Sequence, residues 1–179
     1  MLGKELAKFP HYKDLLTPTY IELMSKSAPL HDIGKIAIPD DILLKPGKHT
    51  PEEFAIMKTH AQRGYDMLKR AGDYMGEQGG FLTLAMEIAG SHHEKWDGSG
   101  YPKGLAGKAI PLSARLMAIA DVFDALLSRR SYKESMSVEQ TMAIILEGKG
   151  SHFDPEVVDA FMSIQNELLN VACMLSDGN

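Results

Sequence analysis

Residues 30–40 read LHDIGKIAIPD, and the rest of the chain is organised around them. His31, Asp32 and Lys35 fall within one helical turn of each other. An imidazole beside a carboxylate offers a divalent metal two unlike ligands, and a lysine three positions on adds a fixed positive charge beside whatever the metal binds. That outlines a site for an anionic substrate. The same residues also suit a helix end at which His31 and Asp32 cap or salt-bridge locally, so the choice between the two readings rests on what the other segments bring.

Those segments read as helices. Upstream, residues 2–9 form a short one ended by Pro10, and Thr17 caps a second whose first position is Pro18 and whose apolar face is Ile21, Leu23 and Met24. Downstream, turn signals at Pro39-Asp40-Asp41 and Lys45-Pro46-Gly47 enclose a short apolar piece. Thr50-Pro51-Glu52-Glu53 is a capping box, and the helix it opens is expected to reach about residue 70. Ile56, His60, Gly64 and Met67 share one stripe of it, with His60 either a satisfied histidine or a ligand.

Residues 72–80 read as a glycine-rich break, and 81–93 as the next helix, ending in His92 and His93 and followed by Glu94. Neighbours on a helix differ by about 100° in direction, so the two histidines cannot easily ligate one ion in the same way, and each could serve one of two adjacent ions. Residues 111–128 form the most apolar helix, in which Ala114, Met117, Ala118, Asp121 and Ala125 share a stripe. Asp121, among small apolar neighbours, needs a cation, while Asp124 falls toward an edge. A basic knot of Arg129, Arg130 and Lys133 follows, then a capping box at Ser137 and Gln140 opening a helix to about residue 147. Asp154-Pro155 opens the last, whose face of Val157, Val158, Phe161, Ile164 and Leu168 closes the core. With no alternating run and no repeat, the fold class is all-α, a single compact bundle of about six to eight helices. Residues 1–27 hold N-terminal helices and 28–179 the main domain.

Composition narrows the function. With 179 residues, 44% of them hydrophobic, the chain suits one domain that buries roughly 70% of its unfolded surface. Its 11 methionines fall mostly on apolar helix faces and are core filler. The single cysteine, Cys173, allows neither an internal disulfide nor a cysteine zinc cluster, and points to a reducing, cytoplasmic setting. No apolar run approaches the roughly 20 residues of a membrane span, and the start, MLGKELAKF, lacks the apolar core of a secretory signal. A net charge of -5 argues against binding a nucleic-acid duplex, so a phosphate-bearing ligand has to be met by a local cluster of cations.

Taken together, His31, Asp32, His60, His92, His93 and Asp121 lie on or at the ends of helices that can face one centre. Nitrogen and oxygen donors without sulfur suit iron or manganese better than structural zinc, and there are more of them than one ion needs. A centre of two divalent metal ions follows, of the kind that clamps the attacking and leaving oxygens of a phosphoryl displacement.

The chain resembles the HD-GYP domains, a branch of the HD phosphohydrolase superfamily associated with hydrolysis of cyclic di-GMP. The residues that carry the resemblance are HDIGKIAIPDDILLKPG at 31–47, the histidine of MKTH at 60, HHEKWDGSGYPKGLAG at 92–107, IPLSARLMAIADVFDALLSRRSYK at 110–133 and GSHFDP at 150–155. The resemblance implies an HD-domain fold and a metal-dependent phosphodiesterase that opens cyclic di-GMP to pGpG, and onward to GMP, through a metal-bound hydroxide. It implies metal ligation by His31, Asp32, His60, His92, His93 and Asp121, with Asp32 as a candidate bridge between ions. Lys35 would then meet the scissile phosphate or the hydroxide, and Arg130 and Lys133 a phosphate of the substrate. Gly100, Tyr101 and Pro102 would shape the substrate mouth or dock a cyclase domain, and Glu94 would orient His93 or act on protons.

One departure bears on activity. Family members place a glutamate and a histidine four residues apart on a helix ahead of the HD pair, whereas here Glu5 is followed by Phe9, Glu22 by Lys26, and His11 comes after a proline. The N-terminal helix therefore reads as the remainder of a longer one, with a third ion absent or the pair weakened. A catalytically impaired module that binds cyclic dinucleotide or docks a cyclase is the alternative reading, and hydrolysis of another cyclic dinucleotide such as cyclic GMP-AMP a further one. An upstream sensor or receiver domain and a homodimer are the partners expected in a full-length protein.

Overall fold

The computed structural model of the chain describes residues 1–76, 80–127 and 136–176, and it is all-α. The helices are α1 (Leu2–Leu6), α2 (Pro18–Ser27), α3 (Asp40–Leu43), α4 (Pro51–Met75), α5 (Gly80–Ser91), α6 (Leu112–Leu127), α7 (Val138–Glu147), α8 (Pro155–Ser163) and α9 (Gln165–Ser176). Tight 3-10 turns at Ala28–Leu30, Ile33–Ala37 and Gly107–Ala109 complete the order. Among the described residues no helix is long and apolar enough to cross a membrane.

Helix starts follow their caps. Thr50 accepts from the Glu53 amide while the Glu53 carboxylate accepts from the Thr50 amide, and Ser137 and Gln140 repeat the arrangement on α7. Thr17 and Asp154 cap α2 and α8, each with proline in the first turn.

Two expected boundaries move. α4 continues through Gly72, which is buried, and ends at Gly76, so the break begins later than the glycine content implied. The last helix divides at Ile164, yet Val157, Val158, Phe161 and Ile164 are all buried, so the apolar face survives the interruption.

Leu6, Tyr12 and Leu16 from the N-terminal segment enter the main core with Leu112, Leu116 and Ile119 of α6, Met142 and Ile145 of α7, and Val157 and Phe161 of α8. At the other end, Leu68 of α4 packs on Leu82, Ala85 and Ala89 of α5, with Leu30 and Ile33 against them. The inner face of α4 is His60, Ala61, Gly64, Leu68 and Gly72, while Ile56 and Met67 remain exposed. The stripe expected through Ile56 and Met67 is therefore rotated toward Ala61 and Leu68, because glycine and alanine permit the closest approach to α5.

Candidate metal centre

The HD segment lies between these two packed regions as a pair of 3-10 turns rather than one α-helix. His31 ends the first turn, and Asp32 begins the second, where the Lys35 amide donates to Asp32 O at 2.9 Å. Gly34 presses directly on α4, where a Cβ would lie 2.0 Å from His60 O and 2.5 Å from the Gly64 amide nitrogen. Only a residue without a side chain fits there. That backbone-on-backbone contact brings Asp32 up to His60.

Three histidines are tethered in the same way. His31 Nδ1 is 3.0 Å from Ala28 O, His60 Nδ1 is 2.7 Å from Met57 O, and His92 Nδ1 is 2.9 Å from Ile88 O. A carbonyl only accepts, so each Nδ1 carries its proton, and the Nε2 of a neutral ring, as at His60 and His92, is left with a lone pair. The three Nε2 atoms surround Asp32. Its Oδ1 is 3.4 Å from His60 Nε2 and 3.8 Å from His92 Nε2, and its Oδ2 is 3.2 Å from His31 Nε2 and 2.5 Å from Lys35 Nζ. Asp121 of α6 reaches the far side, with Oδ1 3.7 Å from His31 Nε2.

Burial sets the protonation. Loss of water pushes His60, His92 and His93 below the ordinary imidazole value, His92 to about 4, and neighbouring imidazoles add to the effect on His92 and His93. They are neutral near pH 7, the form that ligates metal. Burial pushes the Asp32 carboxyl up, but hydrogen bonds from His31 and Lys35 outweigh it and hold the group well below the usual carboxylate range. The hydrogen bond to Asp32 conversely raises His31.

The arrangement fits a cation. Asp32, His60, His92 and His93 each offer a ligand atom, and these atoms lie within 4.8 Å of one another. Asp32 Oδ1, His60 Nε2 and His92 Nε2 are buried without a hydrogen-bond partner. Left dry, each would cost roughly 1–3 kcal/mol, a penalty that a shared cation removes. His92 and His93 both belong to this group of four. α5 ends at Ser91 and the chain turns there, with the Glu94 amide on Ser91 O, so helical spacing does not govern the pair.

Glu94, a candidate for orienting His93 or moving protons, is placed otherwise. It is buried, its Oε1 accepts from the Lys103 amide at 2.7 Å, and its Oε2 accepts from the Leu105 amide at 3.0 Å. It thus clamps the loop that carries Gly100, Tyr101 and Pro102. A Cβ on Gly100 would lie 2.3 Å from the Lys95 amide nitrogen and 2.6 Å from His93 O, so this glycine lets the loop close on the histidine pair. The Tyr101 amide donates to His93 O, and the Tyr101 ring stacks on His93 with centroids 4.7 Å apart. Pro102, joined by a cis peptide, is half-buried beside it.

The GSHFDP motif supports the loop from behind. The Trp96 and Asp97 amides donate to His152 O and Ser151 O, and Phe153 is buried against the α8 core. Arg130 and Lys133 lie outside the described residues. Glu5, Glu22 and His11 stand apart from the centre, paired with Lys8, Lys26 and Glu156. The sequence reading missed Gly34 and the loop-clamping role of Glu94. The first had a signal in the glycine two residues after Asp32, and the second had none, because its partners are backbone amides.

The chain belongs to the HD domain family, which it matches over residues 6–157. Its resemblance to the HD-GYP branch is met by a cyclic di-GMP phosphodiesterase of Vibrio cholerae, 55% identical over 176 residues that cover 98% of this chain and 36% of that protein. A 3'3'-cGAMP-specific phosphodiesterase of the same organism is 43% identical over 162 residues, covering 90% of this chain and 30% of that one. The chain therefore spans well under half the length of these relatives. A solved HDG"Y"P protein from Bdellovibrio bacteriovorus shares the fold, with a TM-score of 0.62 at 24% identity over 94% of this chain and 49% of that one.

Proposed function

We propose that this chain is a metal-dependent phosphodiesterase that opens cyclic di-GMP to pGpG and carries the product on to GMP. The observation that carries the reading is the trio of buried, unpartnered acceptors, Asp32 Oδ1, His60 Nε2 and His92 Nε2, gathered at one point. The names of the curated relatives supply the substrate. Two ions, iron or manganese, suit the donor set: Asp32, His60, His92 and His93 would hold one, His31 and Asp121 the other, and Asp32 would be shared. Support for the sharing comes from its oxygens, of which Oδ1 faces His60 and His92 and Oδ2 faces His31. When bound, such ions supply Lewis acidity, making hydroxide available near neutral pH and drawing charge from the phosphate.

The chain's own residues supply the rest. Backbone tethers hold the His60 and His92 imidazoles in the neutral, lone-pair-inward tautomer, so no reorganisation of these two is needed when a substrate arrives. Lys35, half-exposed beside Asp32, is placed to neutralise a phosphate oxygen. Tyr101, stacked on His93, shields that ligand from water and forms the inner wall of the mouth. No side-chain nucleophile is required. Arg130 and Lys133 remain candidate phosphate contacts, and the exposed outer edge of the loop at Ser99, Lys103 and Gly104 is where a cyclase domain would dock. A cytoplasmic setting, a homodimer and an upstream sensor or receiver domain complete the proposal.

The test is turnover. Chain reconstituted with ferrous iron or manganese under reducing conditions is expected to convert cyclic di-GMP to linear products resolved by chromatography, and Asp32→Ala to abolish this. Absence of turnover with every divalent metal restored would reject the enzyme, and binding without product would identify a binding module. The second relative favours a second reading, 3'3'-cGAMP as substrate, and competition between the two dinucleotides distinguishes them.

A further inference from the structure

Two side chains at the mouth, Phe54 and Lys58, are used neither by the metal centre nor by the loop clamp. Tyr101, stacked on His93, meets the ring of Phe54 edge to face with centroids 6.4 Å apart. Lys58, one turn after Phe54 on α4, sets its ammonium 5.3 Å from the Phe54 ring and 5.9 Å from the Tyr101 ring. Phe54 is 47% exposed, although the same helix buries His60 in the centre. Aromatic surface therefore runs without interruption from a metal-ligating imidazole outward to an open phenylalanine, with a cation over the junction. Among the described residues Lys58 makes no ion pair, in a chain whose net charge is -5.

The ligand class follows from those two chemistries. An exposed ring offers a face on which a nucleobase stacks, and stacking tolerates any base because every base has a π-face. A lysine ammonium is a compact partner for a phosphate oxygen. A cyclic dinucleotide carries two bases and two phosphates, and among the described residues the inner centre with Lys35 accounts for one phosphate and for neither base. We propose that Phe54 and Lys58, with Tyr101, form an outer subsite that stacks one base and pairs the phosphate not being cleaved. The inference rests on the phosphodiesterase reading and deepens it: the subsite holds cyclic dinucleotides as a class and does not choose among their bases.

Calorimetric titration of manganese-loaded chain with cyclic di-GMP, and separately with 3'3'-cGAMP, tests this, alongside inhibition by inorganic phosphate as a probe of the inner centre. Phe54→Leu is expected to weaken both dinucleotides about tenfold, Phe54→Trp to retain their affinity, and the phosphate inhibition constant to move far less than either. Lys58→Gln is expected to weaken both dinucleotides and flatten the loss of affinity with salt. Unchanged dinucleotide affinity in Phe54→Leu and Lys58→Gln, in a protein that still turns over cyclic di-GMP, would overturn the subsite while leaving the enzyme intact. Equal losses for dinucleotide and inorganic phosphate would overturn it too, by placing the effect in the centre. A native protein that neither binds nor hydrolyses any cyclic dinucleotide would remove both readings.

Discussion

Replacing Glu94 separates a loop clamp from a proton-transfer group. Its carboxylate is 2% exposed and accepts from two backbone amides, those of Lys103 and Leu105. Hydrogen bonds to a charged group contribute about 1.5–3 kcal/mol each, so Glu94→Ala is expected to cost about 3–6 kcal/mol and to leave both amides dry. For a chain of this size each kcal/mol lowers Tm by about 2–4 °C, so a fall of about 6–24 °C is expected. Glu94→Gln keeps one accepting oxygen but points N–H groups at the second donor, and its Tm should fall between the native and alanine values. Because the same loop holds Tyr101 on His93, hydrogen exchange at residues 97–107 should rise in both variants, with turnover falling and the shape of its pH profile retained. A Glu94→Gln protein with native Tm and native loop protection, but no activity and one limb missing from the pH profile, would refute the clamp and restore the proton-transfer role.

Other outcomes follow from the same geometry. Gly34→Ala forces a Cβ onto the α4 backbone, which should cost about 1–3 kcal/mol or more and weaken manganese binding by calorimetry beyond any change in a distant surface variant. Arg115→Ala strands the buried Asp154 carboxylate, now 2.6 Å from the guanidinium, and should cost about 3–5 kcal/mol in urea unfolding. In metal-free protein the depressed histidines act as an acid switch. A group that resists protonation when folded contributes stability above its unfolded pKa and loses it as pH falls, so the stability due to His92 should drain away between about pH 6.5 and about pH 4. That single group is worth at most about 3 kcal/mol, and His31, raised by Asp32, offsets part of the loss. Urea unfolding at successive pH values without metal measures the slope, and stability that rises on acidification would contradict the assignment.

Much of this was legible in the residues because it depends on local rules. The capping boxes at Thr50 and Ser137 and the prolines at 18, 51 and 155 mark helix starts through contacts within four residues, and those starts are where they were read. The ends were harder. Gly72 reads as a breaker by propensity, but packing overrides propensity in a buried glycine of α4. The orientation of His92 and His93 depended on where α5 stops, which is Ser91 rather than residue 93. Glu94 was hardest, since its partners are main-chain amides nine and eleven residues away with no identity in the sequence.

The decisive question is whether these donors hold metal where they converge. Anomalous diffraction at the manganese edge, from crystals of the chain grown with manganese, tests that directly. Two peaks are expected, one within reach of His60, His92 and His93 and one beside His31 and Asp121, both touching Asp32. Manganese bound elsewhere, or a centre left without an anomalous peak in protein shown to be folded, would contradict it.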